Sequence, residues 1–511
     1  MMERLFDPLR PHFSAWVWLH DVDRHWLDPM SETHPMRPVA VPLYYASLCG
    51  FRGLVEHFVA THPEDINARG GFYDTPLHAA SAKGHLAVVE LLLTNNANPY
   101  LCNAEARVPL HSASLRGHID VVKMLLDHGV DVNQQKGGMT PLHYASEYGR
   151  LELAQFLIQY GAVVDTPNDN QETPLYHAAL SGNHEIAQLL LNSGANVNVT
   201  LKDNHTLLHV AAGAGYLGVV ECLLGSGASL DARNTAQESP LAMACRNGRL
   251  EVSHLLLDRG TDVNSRDKDG RTPLHCASRY GRPDITRLLL KRSAHVNAYN
   301  SERWTPLHYA SAHGYPDIAK VLIQQDANVN SQDDKRMTPL DLASWYGHLE
   351  IVHLLIEHGA AVSSQNYGGW TSLHLAGNLH IAKFLIECGI DVDIRDGNGQ
   401  TSLHLASGRG KFDLVHFLIE KGADIHIRDN NNWNPLHLAA QNGHLDVVRL
   451  LIDIGIAVDI RNGTQMTSLG LASQKRANRS FAVPHRTRGR HECARQRGPY
   501  SLTFGFAIRT C

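Results

Sequence analysis

A Thr-Pro-Leu-His tetrapeptide, or a near copy of it, returns about every 33 residues along most of the chain. Starts fall at Thr75, Val108, Thr140, Thr173, Thr206, Ser239, Thr272, Thr305, Thr338, Thr371, Thr401, Asn434 and Thr467, with a weaker copy at Val41. The gap of 30 residues between Thr371 and Thr401 is the one marked departure from the period. Such short units cannot bury their apolar faces alone, so they stack into a solenoid, and the residues common to all of them serve the stacking. Function belongs where the units differ.

The unit beginning at Thr272 reads as two helices and a connector. Thr272 is placed to cap the first helix, because its hydroxyl can accept from an orphan N–H of the first turn. Pro273 follows at the first helical position, where its missing N–H costs nothing. Leu274, Cys276 and Ala277 form a narrow apolar face, and Gly281 ends the helix by adopting the left-handed conformation. Ile285, Leu288, Leu289 and Leu290 lie at helical spacing on the second helix. The polar stretch His295–Trp304 is a hairpin-like connector. A glycine recurs nine residues after the start in 12 of 14 units. The Thr371 unit has lost three residues before Gly377-Asn378, about one helical turn, so its first helix is expected to be short.

These units resemble ankyrin repeats. The resemblance rests on the TPLHxA start, the glycine between helices, the Leu-Leu-Leu run and closes such as Gly129-Val130-Asp131-Val132-Asn133 and Gly260-Thr261-Asp262-Val263-Asn264. It covers residues 41–473 and implies an all-α ankyrin-repeat solenoid of helix-turn-helix units with hairpin-like connectors. Ser293 and Asp326 replace the second glycine and put the local turn in question there. The resemblance also implies that Asn133 and Asn264 sit where an asparaginyl hydroxylase can act on ankyrin proteins; a turn-stabilising asparagine is the plainer reading. A finer likeness, to the entry into the ankyrin arrays of fungal NACHT–ankyrin proteins, rests on Pro11–Trp18, Pro42–Ala46 and Gly50–His57. It implies a sensing array coupled to an upstream nucleotide switch, although the chain carries no GxxxxGK[ST].

Three segments follow: residues 1–40 as an N-terminal cap rich in tryptophan, 41–473 as about 13 full units plus a truncated last one, and 474–511 as a basic tail. The tail holds nine basic residues and one acid in a chain whose net charge is −5. It reads as a displaced reading frame or retained non-coding stretch, as a solvated disordered end, or as a nucleic-acid or nuclear-import segment. The eight cysteines lack paired or metal-like spacing, no apolar run reaches 18 residues, and the start lacks a signal-peptide core, which together point to a cytoplasmic protein, the nucleus being the alternative.

Gly213-x-Gly215-x-x-Gly218 imitates a dinucleotide fingerprint, but the preceding residues read as a helix, not a strand, and Gly215 is the ordinary inter-helix glycine. Nine of the 33 histidines are the fourth letter of the tetrapeptide. Zinc needs its nitrogens ~2 Å from one ion, whereas equivalent positions on stacked helices lie ~8–10 Å apart. They are expected to brace neighbouring units. With no HExxH, CxxC or GxSxG, the expectation is a non-catalytic protein with no cofactor, no metal, no small-molecule substrate and no membrane partner.

Two sets of positions vary. One is the pair of residues before each inter-helix glycine, including Tyr148, Arg279, Tyr280, His313, Trp345 and Tyr346; the other is the residue before each start, including Trp304, Trp370 and Trp433. Outside the N-terminal segment every tryptophan falls in these sets, and Trp, Tyr and Arg are the residues enriched in binding hot spots. By the ankyrin resemblance these positions line the concave groove and finger tips that meet partners. The sequence therefore reads as a monomeric interaction scaffold for a protein or peptide, gripping it at Arg279, Tyr280, Trp304, His313, Trp345, Tyr346 and Trp370, with Tyr148 and Trp433 as outliers. The alternatives are the sensor half of a NACHT-type protein and, through the tail, a nucleic-acid binder.

Overall fold

The computed structural model describes residues 40–473, so the N-terminal cap and the basic tail read from the sequence lie outside the described residues. The described chain divides into two compact units, one ending at Cys388 and the other beginning at Gly389. Each is built of helix pairs, and no β-strand occurs among the described residues beyond the isolated bridges Lys136–Met139 and Thr200–Thr206. Within each unit, first helices pack on first helices of the next repeat and second helices on second helices.

The local chemistry of a repeat is visible in the helix Pro306–His313. Thr305 is extended, its Oγ1 accepts from the His308 N–H at 3.4 Å, and Pro306 opens the helix. Gly314 closes it at φ +76°. A Cβ there would also meet the His348 ring of the following repeat at 2.6 Å, so the position is fixed as glycine by both conformation and space. The second helix, Pro316–Ile323, buries Ile318, Ala319, Leu322 and Ile323. Ser293 and Asp326 take the left-handed conformation of the glycines they replace, at φ +62° and +61°, so the turn is kept.

The shortened Thr371 repeat has a first helix of four residues, Ser372–Leu375. Asn378 then restarts the chain by accepting from the Ile381 N–H, and Gly377 donates to the Ser344 carbonyl.

The tetrapeptide histidines do brace neighbouring repeats. In His143, His275, His308 and His404, Nδ1 accepts from the N–H of the repeat's own threonine, and Nε2 reaches the carbonyl 29 residues on, just before the next start. That geometry requires a neutral ring with its proton on Nε2. Burial first of all holds His143, His275 and His308 down to a pKa of about 4, against an ordinary 6.5. In the Thr338 repeat the brace is a carboxylate: Asp341 accepts from Thr338 N–H and Oγ1, and from Ser372 Oγ at 2.7 Å. Burial lifts its pKa to about 6.

Connector shape comes from an Asn or Asp five residues before the start. Asp267, Asn300, Asp333, Asn366 and Asp429 each accept, on Oδ1, the N–H groups two and four residues on. Asn133 and Asn264 are used similarly between repeats, accepting from the Val163 and His295 N–H groups at 2.8 Å. Both are engaged as turn braces.

Candidate protein-binding surface

Three register positions form one strip, counting each start as one: the residue before a start, the fifth residue of the repeat that follows, and the eighth residue of the preceding repeat. They meet because first helices of successive repeats pack side by side, which sets the connector residue and two helix positions against one another. The fifth position escaped the reading from sequence, yet it supplies Tyr144, His177, Tyr309 and Leu342. Its variation from repeat to repeat was the available signal.

In the middle of the first unit the strip is aromatic and cationic. Arg279 Cζ lies 5.6 Å from the Tyr280 ring centroid and 5.8 Å from that of Tyr309. Trp304 meets Tyr309 at 4.9 Å between ring centroids and donates from Nε1 to Asp333 Oδ2 at 3.1 Å. Trp304 and Trp370 are half-buried against the cluster of Ala312, Met337, Leu342 and Leu375. His313 is held by its own helix, Nδ1 to the Tyr309 carbonyl at 3.0 Å, and stacks on Tyr315. Beyond them Trp345 and Tyr346 stand 46% and 58% exposed, their rings stacked at 6.4 Å. Arg279, Tyr280, Trp304 and Tyr309 thus form one contact group, and Trp345 with Tyr346 another. Tyr148 is exposed in the Thr140 repeat, four repeats before that of Tyr280 in the same unit. Trp433 belongs to the second unit, half-buried, with its carbonyl accepting from His404 Nε2.

At the Thr140–Thr173 step the same three positions carry two acids and a histidine. Glu172 precedes the start, His177 is the fifth residue of the repeat, and Glu147 is the eighth of the preceding repeat. The His177 ring has Glu147 Oε2 3.9 Å from Nδ1 and Glu172 Oε2 3.7 Å from Nε2. Asn168 Nδ2 donates to Glu172 Oε2 at 2.7 Å and fixes that carboxylate. Burial lowers the His177 pKa despite both carboxylates.

No group of three or more His, Cys, Asp or Glu side chains among the described residues could hold a metal ion. No helix among them is long and apolar enough to cross a membrane.

The model of the family "Ankyrin repeats (3 copies)" matches the chain in overlapping segments from residue 43 to residue 479. The chain belongs to the ankyrin-repeat family. It is 36% identical over 106 residues to the azaphilone pigments biosynthesis cluster protein L of Monascus ruber, a match covering 19% of this chain and 22% of that protein. The chain thus spans about a fifth of this curated relative's length. It is also similar to the crystal structure of the human ASB11 ankyrin repeat domain, at 29% identity over 44% of this chain and 99% of that one, with a TM-score of 0.41.

Proposed function

We propose that the protein is a non-catalytic scaffold that binds a protein or peptide partner along the strip from Arg279 to Trp370. The observation that carries this is the exposed, stacked pair Trp345–Tyr346, set beside half-buried Trp304 and Trp370 on an apolar floor. A rigid aromatic pair left in water, in a stretch that also carries Arg279 set over Tyr280 and Tyr309, has the composition of a binding hot spot. Nothing in the repeat itself needs it there, since the repeat's stability comes from the threonine caps, the braces and the second-helix leucines.

The test is selection of a displayed random dodecapeptide library on the full chain. Selected peptides should bind Trp345→Ala/Tyr346→Ala at least about tenfold more weakly, the loss expected of hot-spot truncation, while its thermal unfolding stays where the parent's is. Peptides that bind both proteins equally, or a variant that loses helicity, would remove the reading. Coupling to a NACHT-type switch belongs to the same proposal at one further remove. It is supported by Pro42–Ala46 and Gly50–His57, and is tested by asking whether an in-frame Walker motif is encoded upstream.

A further inference from the structure

The aromatic stretch of the strip holds a cation that the chain itself leaves unpaired. Counted from each start, positions zero and eight carry arginine at Arg107, Arg246, Arg271 and Arg279 among the described residues. The first three each reach a carboxylate of their own connector. Arg107 takes Glu105 at 2.6 Å, Arg246 takes Glu238 at 2.7 Å, and Arg271 takes Asp267 at 2.8 Å and Asp269 at 2.6 Å. Arg279 makes neither an ion pair nor a hydrogen bond among the described residues.

The register supplies the reason. Arg246, at position eight, is neutralised from position zero of its own repeat, by Glu238. One repeat on, position zero is itself an arginine, Arg271, which is turned to the acids of its connector, so position eight has no carboxylate to meet. Glu302 and Asp334, on the two connectors that follow, are exposed and form no ion pair with Arg279.

A second observation comes from the setting. Arg279 is half-buried, its Cζ 5.6 Å from the ring centroid of exposed Tyr280 and 5.8 Å from that of buried Tyr309. Tyr309 is fixed in turn by Trp304, at 4.9 Å between centroids, and by Asn300, whose Nδ2 donates to the Tyr309 hydroxyl at 3.1 Å. Two π faces attract the cation and hold it in place. They offer it no carboxylate, so the five N–H donors of the guanidinium are left to solvent or to an anion brought from outside.

We propose that Arg279, framed by Tyr280 and Tyr309, is the subsite for an aspartate or glutamate side chain of the protein partner. A guanidinium fixed by its neighbours can take a carboxylate through two parallel N–H groups, and a cation unpaired within the chain selects a partner of opposite charge. The inference rests on the binding reading above and adds the charge of the partner to it. Two repeats separate the Thr272 and Thr338 starts, roughly 16–20 Å at ~8–10 Å per stacked helix. An extended peptide at ~3.3 Å per residue covers that in about five or six residues. The partner segment therefore carries an acidic residue about five or six positions from the residue that meets Trp345 and Tyr346.

The experiment repeats the dodecapeptide selection on the full wild-type chain and on Arg279→Gln, and then closes a cycle with one selected peptide and its Glu→Gln or Asp→Asn analogue. The wild-type pool should be enriched in Asp or Glu, and the pool from the variant should lose that enrichment. Affinity for the acidic peptide should fall about tenfold or more on Arg279→Gln, the loss expected when one partner of a charge-assisted hydrogen bond is removed. The amide analogue should bind wild type as weakly as that, and bind the variant no more weakly still. A wild-type pool without acidic enrichment, or losses from the two substitutions that simply add, would overturn the proposal. Should Arg279→Gln not fold, Arg279→Lys closes the same cycle, and the carboxylate should then be worth less to the lysine variant than to wild type; an equal worth would count against the subsite. Binders that depend on Trp345 and Tyr346 but carry no acid coupled to Arg279 would sink this subsite and leave the scaffold reading standing. Acidic binders coupled to Arg279 that ignore Trp345 and Tyr346 would keep the subsite and remove the aromatic pair from the reading.

Discussion

The Thr140–Thr173 step and the Thr272–Thr371 stretch share a backbone and differ in what they offer a partner. Both start on a threonine cap, end the first helix at or near a left-handed glycine, and tie the connector to a buried brace. On that common frame, one strip carries Glu147, His177 and Glu172, and the other Arg279, Trp304, Tyr309 and Trp345. The difference teaches that this repeat separates its tasks by register. Positions one to four and ten hold the array together, while positions zero, five, eight and nine are free to change sign and shape.

Acid is the strongest way to strain the shared frame. His111, His143, His275 and His308 are held near a pKa of about 4 by burial. Between pH 6.5 and about 4 the unfolded chain therefore binds more protons than the folded one. Their contribution is fully present above pH 6.5 and is lost as pH falls through that window, on the order of 1 kcal/mol per histidine at pH 5.5. Urea unfolding across pH 7.5–5 should show the fall in both stretches. The Thr338 repeat should oppose it, because Asp341, raised to about 6, favours the folded state below its unfolded pKa and loses that contribution as pH rises through about 6. A stability that is flat from pH 7 to 5 would break the brace account.

Next in size, His143→Ala and His308→Ala should cost alike, about 2–4 kcal/mol each, since each leaves a threonine N–H and a connector carbonyl unpaired. A cost confined to one of the two would mean that the frames are not equivalent. Within the aromatic stretch, Trp304→Ala should cost about 2 kcal/mol by opening a gap over Met337 and releasing Asp333. Trp345→Ala should stay within ~0.5 kcal/mol, as exposed substitutions do. The smallest effect is expected at the acidic step: Glu147→Gln/Glu172→Gln should leave the unfolding midpoint within ~0.5 kcal/mol of the parent.

The frame was legible because its determinants are local. A threonine cap, a proline at the first turn and a left-handed glycine act within a few residues of themselves, and the 33-residue period multiplied each signal. The lost turn before Gly377 could be counted directly. Trp304 and Trp345 illustrate what could not be read. Both sit at variable positions, but whether a tryptophan lies along the strip or stands off it depends on the neighbouring repeat, and Met337 and Leu342 decide it for Trp304. His177 was hidden for a related reason: its neighbours in the Thr-Pro-Leu-Tyr-His start say nothing of Glu147 and Glu172, which the preceding helix and the connector bring to its ring. Asp341 and the connector Asn and Asp residues recur at fixed offsets and were readable, but in a polar stretch a mixture of Asn and Asp does not announce a repeated hydrogen-bonding role.

On this reading partners meet positions zero, five, eight and nine, while the rest of the repeat supports them. Hydrogen exchange of the full chain, with and without a selected peptide at saturation, tests it most directly. The account predicts protection gathered at the ends of the first helices, around Arg279–Tyr280 and Trp345–Tyr346, with the second helices unchanged. Protection centred on second-helix runs such as Leu288–Leu290, with those helix ends unaffected, would contradict it.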